Sequence, residues 1–118
     1  QLMYRFGVEN NDCMGTDELN AYVDLLKRDD RGEAFLKIMR GFELTPDKHD
    51  RYVDTVRDLD VPKAVVWGAT DPALPLDPFA HNAREIAGVD RIVELEARHF
   101  LQEEQPRAIA REVRKLSR

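Results

Sequence analysis

In AVVWGATDPALPLDP, residues 64–78, an apolar run stops at a glycine and is followed by residues typical of a loop. Residues 64–67 are all apolar and Gly68 follows them directly, a pattern typical of a short strand that is buried on both faces. The prolines and the small and polar residues after Gly68 predict a loop. A second, mostly apolar stretch at residues 91–95 predicts another strand.

Helix signals separate the two strands and follow the second one. Asp77 and Pro78 are suited to open a helix, and Gly88 is suited to close it. Its inward-facing residues are predicted to be Phe79, Ala83, Ile86 and Ala87. A last helix is predicted to begin at Pro106, with an apolar stripe of Ile109, Ala110, Val113 and Leu116. The second half of the chain is therefore predicted to be a βαβα unit, in which a right-handed crossover makes the two strands parallel.

The first half of the chain is predicted to be helical after a loop-like start. Thr16 is expected to cap a first helix, and Thr45 and Pro46 are expected to begin a third. The apolar stripes of the three helices are Leu19, Tyr22, Val23 and Leu26; Phe35, Ile38, Met39 and Phe42; and Tyr52, Val53, Val56 and Leu59. The predicted fold class is thus α/β, with a helical first half and a βαβα second half.

Two polar side chains occupy equivalent positions after the predicted strands. Asp71 lies four residues after Trp67, and His99 lies four residues after Leu95. Parallel strands joined by a crossover end at the same edge of a sheet, and neighbouring strands are only about 5 Å apart. A hydrogen bond between Asp71 and His99 is therefore expected, and these two residues are the candidate catalytic pair. The alternatives are a turn aspartate before Pro72 and a loop histidine packed against the last helix.

Composition and charge exclude several classes of function. The 118 residues carry a net charge of −5 and the basic side chains alternate with acidic ones, so no stripe of one sign could follow a phosphate backbone. No apolar run approaches the roughly 18 residues of a membrane span. Cys13 is the single cysteine, so the sequence holds neither an internal disulfide nor a CxxC motif. A protein of the reducing cytoplasm without metal or organic cofactor is therefore expected.

Two segments resemble a known pair of motifs. DVPKAVVWGATDPALP, residues 60–75, resembles the strand and loop that carry the acid in α/β-hydrolases. ARHFLQEEQP, residues 97–106, resembles the histidine segment of haloalkane dehalogenases and related epoxide-hydrolase-like enzymes, and residues 19–44 look like late helices of a cap. The resemblance implies a partial α/β-hydrolase fold, with a cap-like region and return helix over residues 1–60 and the C-terminal part of the core over residues 61–118.

The resemblance also assigns roles to the candidate pair. Asp71 would orient the His99 ring and stabilise its charged form, and His99 would act as general base on a serine or on a water. No G-x-S-x-G turn or Asp-bearing equivalent occurs, and Ser117, the single serine, follows His99 instead of preceding it. We therefore expect the C-terminal portion of a hydrolase, inactive alone, that binds a second copy or its missing N-terminal half. Its small-molecule substrate would be a haloalkane, an epoxide, an ester or a compound with a cleavable C–C bond.

A few other side chains have competing interpretations. A thiol nucleophile at Cys13 would have the right chain order, but neither a strand nor elbow glycines accompany it, and a small packing residue is the simpler expectation. Tyr22 and Tyr52, which could resemble the epoxide-polarising tyrosines of a cap, are predicted to pack within their helices. His49 and His81 are predicted to lie on the surface.

Glu103 and Glu104 are expected to supply favourable charge near the start of the last helix, and the alternative is a supporting role beside His99. No GxGxxG or P-loop follows either strand, which argues against a dinucleotide-binding domain. Three amphipathic helices with a βαβα unit are also compatible with a non-catalytic dimerisation or interaction domain. That domain is the alternative to the hydrolase interpretation.

Overall fold

The computed structural model of the protein describes residues 5–117 as a mixture of helices and one two-stranded parallel sheet. The helices are α1 Thr16–Lys27, α2 Glu33–Arg40, α3 Pro46–Asp58, α4 His81–Ala87, α5 Leu101–Glu104 and α6 Pro106–Leu116, and the strands are β1 Val65–Gly68 and β2 Ile92–Leu95. A short 3₁₀ turn, Asn11–Cys13, precedes α1. Within residues 5–117, no helix is both long enough and apolar enough to cross a lipid bilayer.

The two strands pair in parallel along their whole length. Val65 lies opposite Ile92, and Gly68 lies opposite Leu95. Backbone hydrogen bonding continues past the strand ends. The N–H of Ala69, the residue after β1, donates to the Leu95 carbonyl at 2.8 Å. The predicted parallel neighbours are therefore confirmed, and the loops that leave the two strands begin side by side.

Gly68 is required by the close approach of these two loops. A Cβ atom on this residue would lie 2.6 Å from the carbonyl oxygen of Ala97 and closer still to that of Arg98. Real Cβ atoms do not approach backbone oxygens so closely, so any other residue would push the two loops apart. The glycine that ends the apolar run in the sequence thus has a packing role as well as a boundary role.

The helix starts match the predictions in part. The Thr45 hydroxyl accepts the Lys48 N–H at 3.3 Å, which confirms the predicted cap of α3. The prediction for Thr16 was wrong: Gly15 is the capping residue, and the Glu18 carboxylate accepts the Gly15 N–H at 2.7 Å. A Glu three residues beyond the cap reaches back to the cap's own N–H, and this moves the helix boundary by one residue.

The crossover helix α4 begins later than the sequence predicted. Asp77 and Pro78 lie in a separate turn, Leu76–Ala80, with a cis peptide bond between them, and Asp77 has a non-helical backbone. Phe79 is exposed rather than inward, whereas Ala80 is fully buried. Gly88 ends α4 in a left-handed conformation with φ of 66°, as expected for a C-terminal glycine.

The core is small and much of the predicted apolar surface is not covered. Buried apolar residues are Val8, Met14, Leu19, Val65, Ala80, Ala87, Ala97 and Ala108. In the stripe of α2 and the residues after it, Ile38 is 64% exposed and Phe42 is 66% exposed, and Tyr52 in α3 is 62% exposed. Helical spacing shows which side chains share a face, but it does not show whether a partner covers that face. The stripes predicted to be core are therefore largely on the surface of the described part of the chain.

Replacing Gly68 by alanine tests the contact between the two loops. We expect Gly68→Ala to lower the free energy of unfolding by about 2 kcal/mol, because the added methyl group has no free space beside two backbone carbonyls. Urea unfolding followed by circular dichroism measures this. Gly15→Ala is the matched control: its Cβ would make only an ordinary 3.5 Å contact, and its cost should stay below about 1 kcal/mol. Equal effects of the two substitutions would contradict the proposed crowding.

Candidate functional site

Asp71 lies in the loop after β1, and backbone N–H groups of the same loop bind its carboxylate. Its Oδ1 accepts two N–H groups, from Ala73 at 2.8 Å and from Leu74 at 3.0 Å. The Trp67 indole N–H donates to the Leu74 carbonyl at 2.8 Å and so ties this turn to the end of the strand. Asp71 is therefore a turn aspartate, which is the alternative that the sequence left open for this residue. That interpretation leaves the second carboxylate oxygen unassigned.

The second oxygen of Asp71 binds His99. Asp71 Oδ2 lies 2.9 Å from Nδ1 of His99, and the Asp71 side chain is 5% exposed while that of His99 is 36% exposed. The ring of Phe100 meets the imidazole edge-on, with centroids 5.2 Å apart. The predicted hydrogen bond between the loops of adjacent parallel strands is thus confirmed, and one carboxylate serves both as turn residue and as histidine partner.

This geometry determines which imidazole nitrogen is free. An ionised carboxylate only accepts hydrogen bonds, so Nδ1 of His99 carries the proton that Asp71 accepts. In the neutral ring Nε2 then holds the lone pair. Among residues 5–117 the ring has Asp71 as its hydrogen-bond partner, so Nε2 is available to take a proton from another group.

The carboxylate of Asp71 is stabilised in its charged form. Burial raises its pKa, but hydrogen bonds from the Leu74 N–H, from His99 and from the Ala73 N–H, together with the charge of His99, outweigh burial and lower the pKa below the ordinary value. Asp71 is therefore ionised at neutral pH, where it can hold the Nδ1 proton and stabilise a protonated ring.

Glu104 lies at this site, where the sequence left open a role beside His99 as the alternative to a helix-start charge. Its Oε2 accepts the N–H of Arg98, the residue before His99, at 2.8 Å. Its Oε1 accepts the N–H groups of Glu9 at 2.7 Å and Asn10 at 3.0 Å. A carboxylate a few residues after the histidine was visible in the sequence. Its partners 94 and 95 positions away follow from no local pattern.

Cys13 is not arranged as a nucleophile. It packs against the buried cluster of Val8, Met14 and Leu19. Burial raises the pKa of the Cys13 thiol, and the charges of Glu104 and Glu103 raise it further. Thiolates are the reactive form and are favoured by positive surroundings. The expectation of an ordinary packing residue at this position therefore agrees with its surroundings.

The single serine does not take the nucleophile's place either. Ser117 follows α6, and its hydroxyl donates to the Arg114 carbonyl at 3.1 Å. In the part of the chain that the structure describes, no group of three His, Cys, Asp or Glu side chains could hold a metal ion. Among the candidate residues, Asp71 and His99 are the two that the structure joins by a hydrogen bond at the strand ends.

The remaining candidate residues lie on the surface. Nδ1 of His49 is 3.1 Å from the Asp50 carboxylate and Nδ1 of His81 is 3.8 Å from that of Asp77, and these side chains are exposed, as predicted. Tyr22 and Tyr52 were predicted to pack in the apolar stripes of their helices with the phenol reaching the surface; they are 37% and 62% exposed, so neither is a core residue. The Tyr22 hydroxyl donates to the Glu103 carboxylate at 2.8 Å, while Lys48 lies 5.7 Å from the centre of the Tyr52 ring. Polar partners thus hold both phenol rings at the surface.

Removing the Asp71 carboxylate should destabilise the fold in a pH-dependent way. We expect Asp71→Ala to cost about 2 kcal/mol at about pH 7, because the partly buried Ala73 and Leu74 N–H groups and the His99 Nδ1–H lose a charged acceptor. The fold lowers this pKa, so the stabilisation is complete above the ordinary carboxyl pKa and is lost as the pH falls through the folded-state value.

Urea unfolding of both proteins at several pH values between about 7 and about 2 measures this difference. Asp54→Ala is the control, since its carboxylate forms an exposed 3.2 Å ion pair with Arg57 and should contribute less than about 1 kcal/mol. A cost for Asp71→Ala that does not shrink in acid would contradict the role of the charge.

Comparison with protein-family models, with curated proteins and with solved structures finds no match to this chain. The features that bear on its function are therefore those of its own geometry. Foremost among them are a buried carboxylate and a partly exposed imidazole joined at the ends of two parallel strands.

Proposed function

We propose that the chain supplies the acid and the general base of a nucleophile-His-acid triad in an α/β-fold hydrolase. Asp71 orients the imidazole and His99 moves the proton. The observation that carries this proposal is the 2.9 Å hydrogen bond between Asp71 Oδ2 and His99 Nδ1, made at the edge of a parallel sheet where open α/β proteins build their sites. By this proposal, residues 61–118 belong to the core of the hydrolase and residues 1–60 to a cap-like region with its return helix.

The chemistry follows from the tautomer of His99. Its Nε2 takes a proton from a nucleophilic hydroxyl or from a water as that oxygen attacks the substrate. The ring is then positively charged, and the ionised Asp71 stabilises it across the short Nδ1–H bond. The proton is delivered from Nε2 to the leaving group or to the released nucleophile, and the ring returns to its neutral form.

The nucleophile in this proposal comes from outside the 118 residues. A nucleophile elbow requires glycines around a serine or aspartate on a sharp strand-to-helix turn, and the sequence contains no such segment. An aspartate elbow would suit a carbon–halogen bond or an epoxide, and a serine elbow would suit an ester. The chain alone is thus proposed to be inactive. In the complete enzyme the triad would make the reaction a hydrolysis, and the nucleophile in the elbow would determine which type of substrate bond is cleaved. The free thiol of Cys13 supports a proposed location in the reducing cytoplasm, which cell fractionation would test.

Enzyme assays test the proposal directly. We expect the 118 residues alone to turn over no ester, epoxide or haloalkane, and the protein translated from the complete reading frame that includes them to turn over one of these classes. In that protein His99→Gln should lower kcat/KM by about 10³-fold, because general-base catalysis is lost. His81→Gln changes an exposed histidine outside the site and should leave kcat/KM unchanged. Equal activity of the two variants would refute the role of His99.

A second candidate function is a self-associating interaction domain. The exposed apolar side chains of the first three helices favour it, because a large exposed apolar surface is typical of an interface. The outer edges of a two-stranded sheet also offer unpaired backbone groups to another chain. The proposed partner is a second copy of this chain, in the place of the other half of a complete hydrolase.

Light scattering during size exclusion tests the self-association. We expect a mass above the 13.6 kDa of one chain, with Ile38→Lys lowering the association because it puts a charge on the apolar face of α2. Val113→Lys is the control, since Val113 is similarly exposed but lies on α6. A strictly monomeric peak for the unmodified chain would rule out the interaction domain.

A further inference from the structure

We propose that Glu104 is a positioning residue for His99: its carboxylate holds the loop that carries the imidazole. This inference rests on the proposed function, because it concerns how the general base is kept in place. Glu104 Oε2 accepts the N–H of Arg98, the residue directly before His99, at 2.8 Å. Residues 96–100 lie between β2 and α5, outside regular structure, so the loop needs hydrogen-bond partners from elsewhere.

The other end of the same carboxylate is bound to a distant segment. Glu104 Oε1 accepts the N–H groups of Glu9 and Asn10, at 2.7 and 3.0 Å. We refer to residues 7–10 as the N-terminal strap. Hydrogen bonds to an ionised acceptor are shorter and stronger than neutral ones, so one side chain joins the strap firmly to the histidine loop.

The strap holds the histidine loop from its other side as well. The Phe100 N–H, directly after His99, donates to the Gly7 carbonyl at 2.8 Å. The residues on both sides of His99 are therefore tied to one short segment, through Glu104 on one side and directly on the other. A ring that is one-third exposed and has one hydrogen-bond partner within residues 5–117 depends on such backbone contacts for its placement.

The strap also contacts the acid loop. Glu9 Oε2 accepts the hydroxyl of Thr70, the residue directly before Asp71, at 2.9 Å. The same hydroxyl lies 3.2 Å from the Ala97 carbonyl in the histidine loop. Both loops are thus connected to the strap that Glu104 anchors, and a displaced strap would change the distance between Asp71 and His99.

The substitution Glu104→Gln separates the two halves of this contact. A carboxamide has one oxygen, and turning it towards Glu9 and Asn10 keeps two of the three bonds. Its NH₂ group then faces the Arg98 N–H, so that two donors meet and the histidine loop is released. The control is Glu103→Gln, which removes the same charge one residue away and leaves an oxygen to accept the Tyr22 hydroxyl.

The ¹⁵N chemical shifts of the His99 ring, measured by NMR on the whole chain, report the tautomer. We expect the Nδ1–H form to dominate in the unmodified chain and in Glu103→Gln, and to fall to about half in Glu104→Gln, because the bond to Asp71 is then made only part of the time. A change confined to overall stability would leave this ratio unaltered. The same ratio in Glu104→Gln and Glu103→Gln would overturn the positioning role.

Asp71→Asn separates failure of this inference from failure of the proposed function. Ala73 and Leu74 keep the amide oxygen at the turn, so the NH₂ group faces His99 and should drive the ring to the Nε2–H form. If Asp71→Asn leaves the tautomer unchanged, the acid–base pair itself is refuted. If Asp71→Asn inverts the tautomer and Glu104→Gln has no effect, the pair stands and Glu104 is not its positioning residue.

Amide exchange of the unmodified chain decides the matter if Glu104→Gln does not fold. We expect the Arg98 N–H, although outside regular structure, to exchange at least about tenfold more slowly than an unstructured amide, because Glu104 holds it. Slow exchange there and at Glu9 supports the contact. Exchange of the Arg98 N–H at the rate of an open loop would overturn the proposal.

Discussion

The whole site depends on the parallel pairing of β1 and β2 and on how closely the chain runs past the ends of these strands. Gly68 has no Cβ, so the first residues of the acid loop lie against the carbonyls of Ala97 and Arg98 in the histidine loop. Loops that begin this close need little further structure to bring a carboxylate to an imidazole. The Asp71–His99 contact is thus a consequence of backbone packing first and of side-chain chemistry second.

The acid loop and the histidine loop are each bound by a carboxylate that uses both of its oxygens. Asp71 divides its oxygens between its own turn and the imidazole. Glu104 divides its oxygens between the histidine loop and the N-terminal strap. The two carboxylates accept backbone N–H groups in loops outside regular secondary structure, beside backbone hydrogen bonds such as that from the Phe100 N–H to the Gly7 carbonyl. This explains how a site with a small apolar core around it still has defined side-chain positions.

The elements that were predictable from the sequence are those coded by local patterns. Two short apolar runs with a helix between them predicted parallel, neighbouring strands. Asp71 and His99 each follow the last apolar residue of a strand by four positions, which predicted their contact. The contacts of Glu104 with Glu9 and Asn10 were not predictable, since these residues lie at the other end of the chain. Exposure of Ile38 was not predictable either, because periodicity describes one helix and coverage depends on another surface. The later start of α4 depends on the turn around Asp77, whose backbone departs from the helical path that the sequence suggested.

Trp67 is the single tryptophan of the chain. Its indole is half-buried at the end of β1 and bonded to the Leu74 carbonyl, within the turn that Asp71 organises. Indole emission responds to hydrogen bonding and to water, so opening of the acid loop would change the light that this residue emits. The protein therefore contains an intrinsic optical reporter of its acid loop, and no label is needed to follow that loop over time.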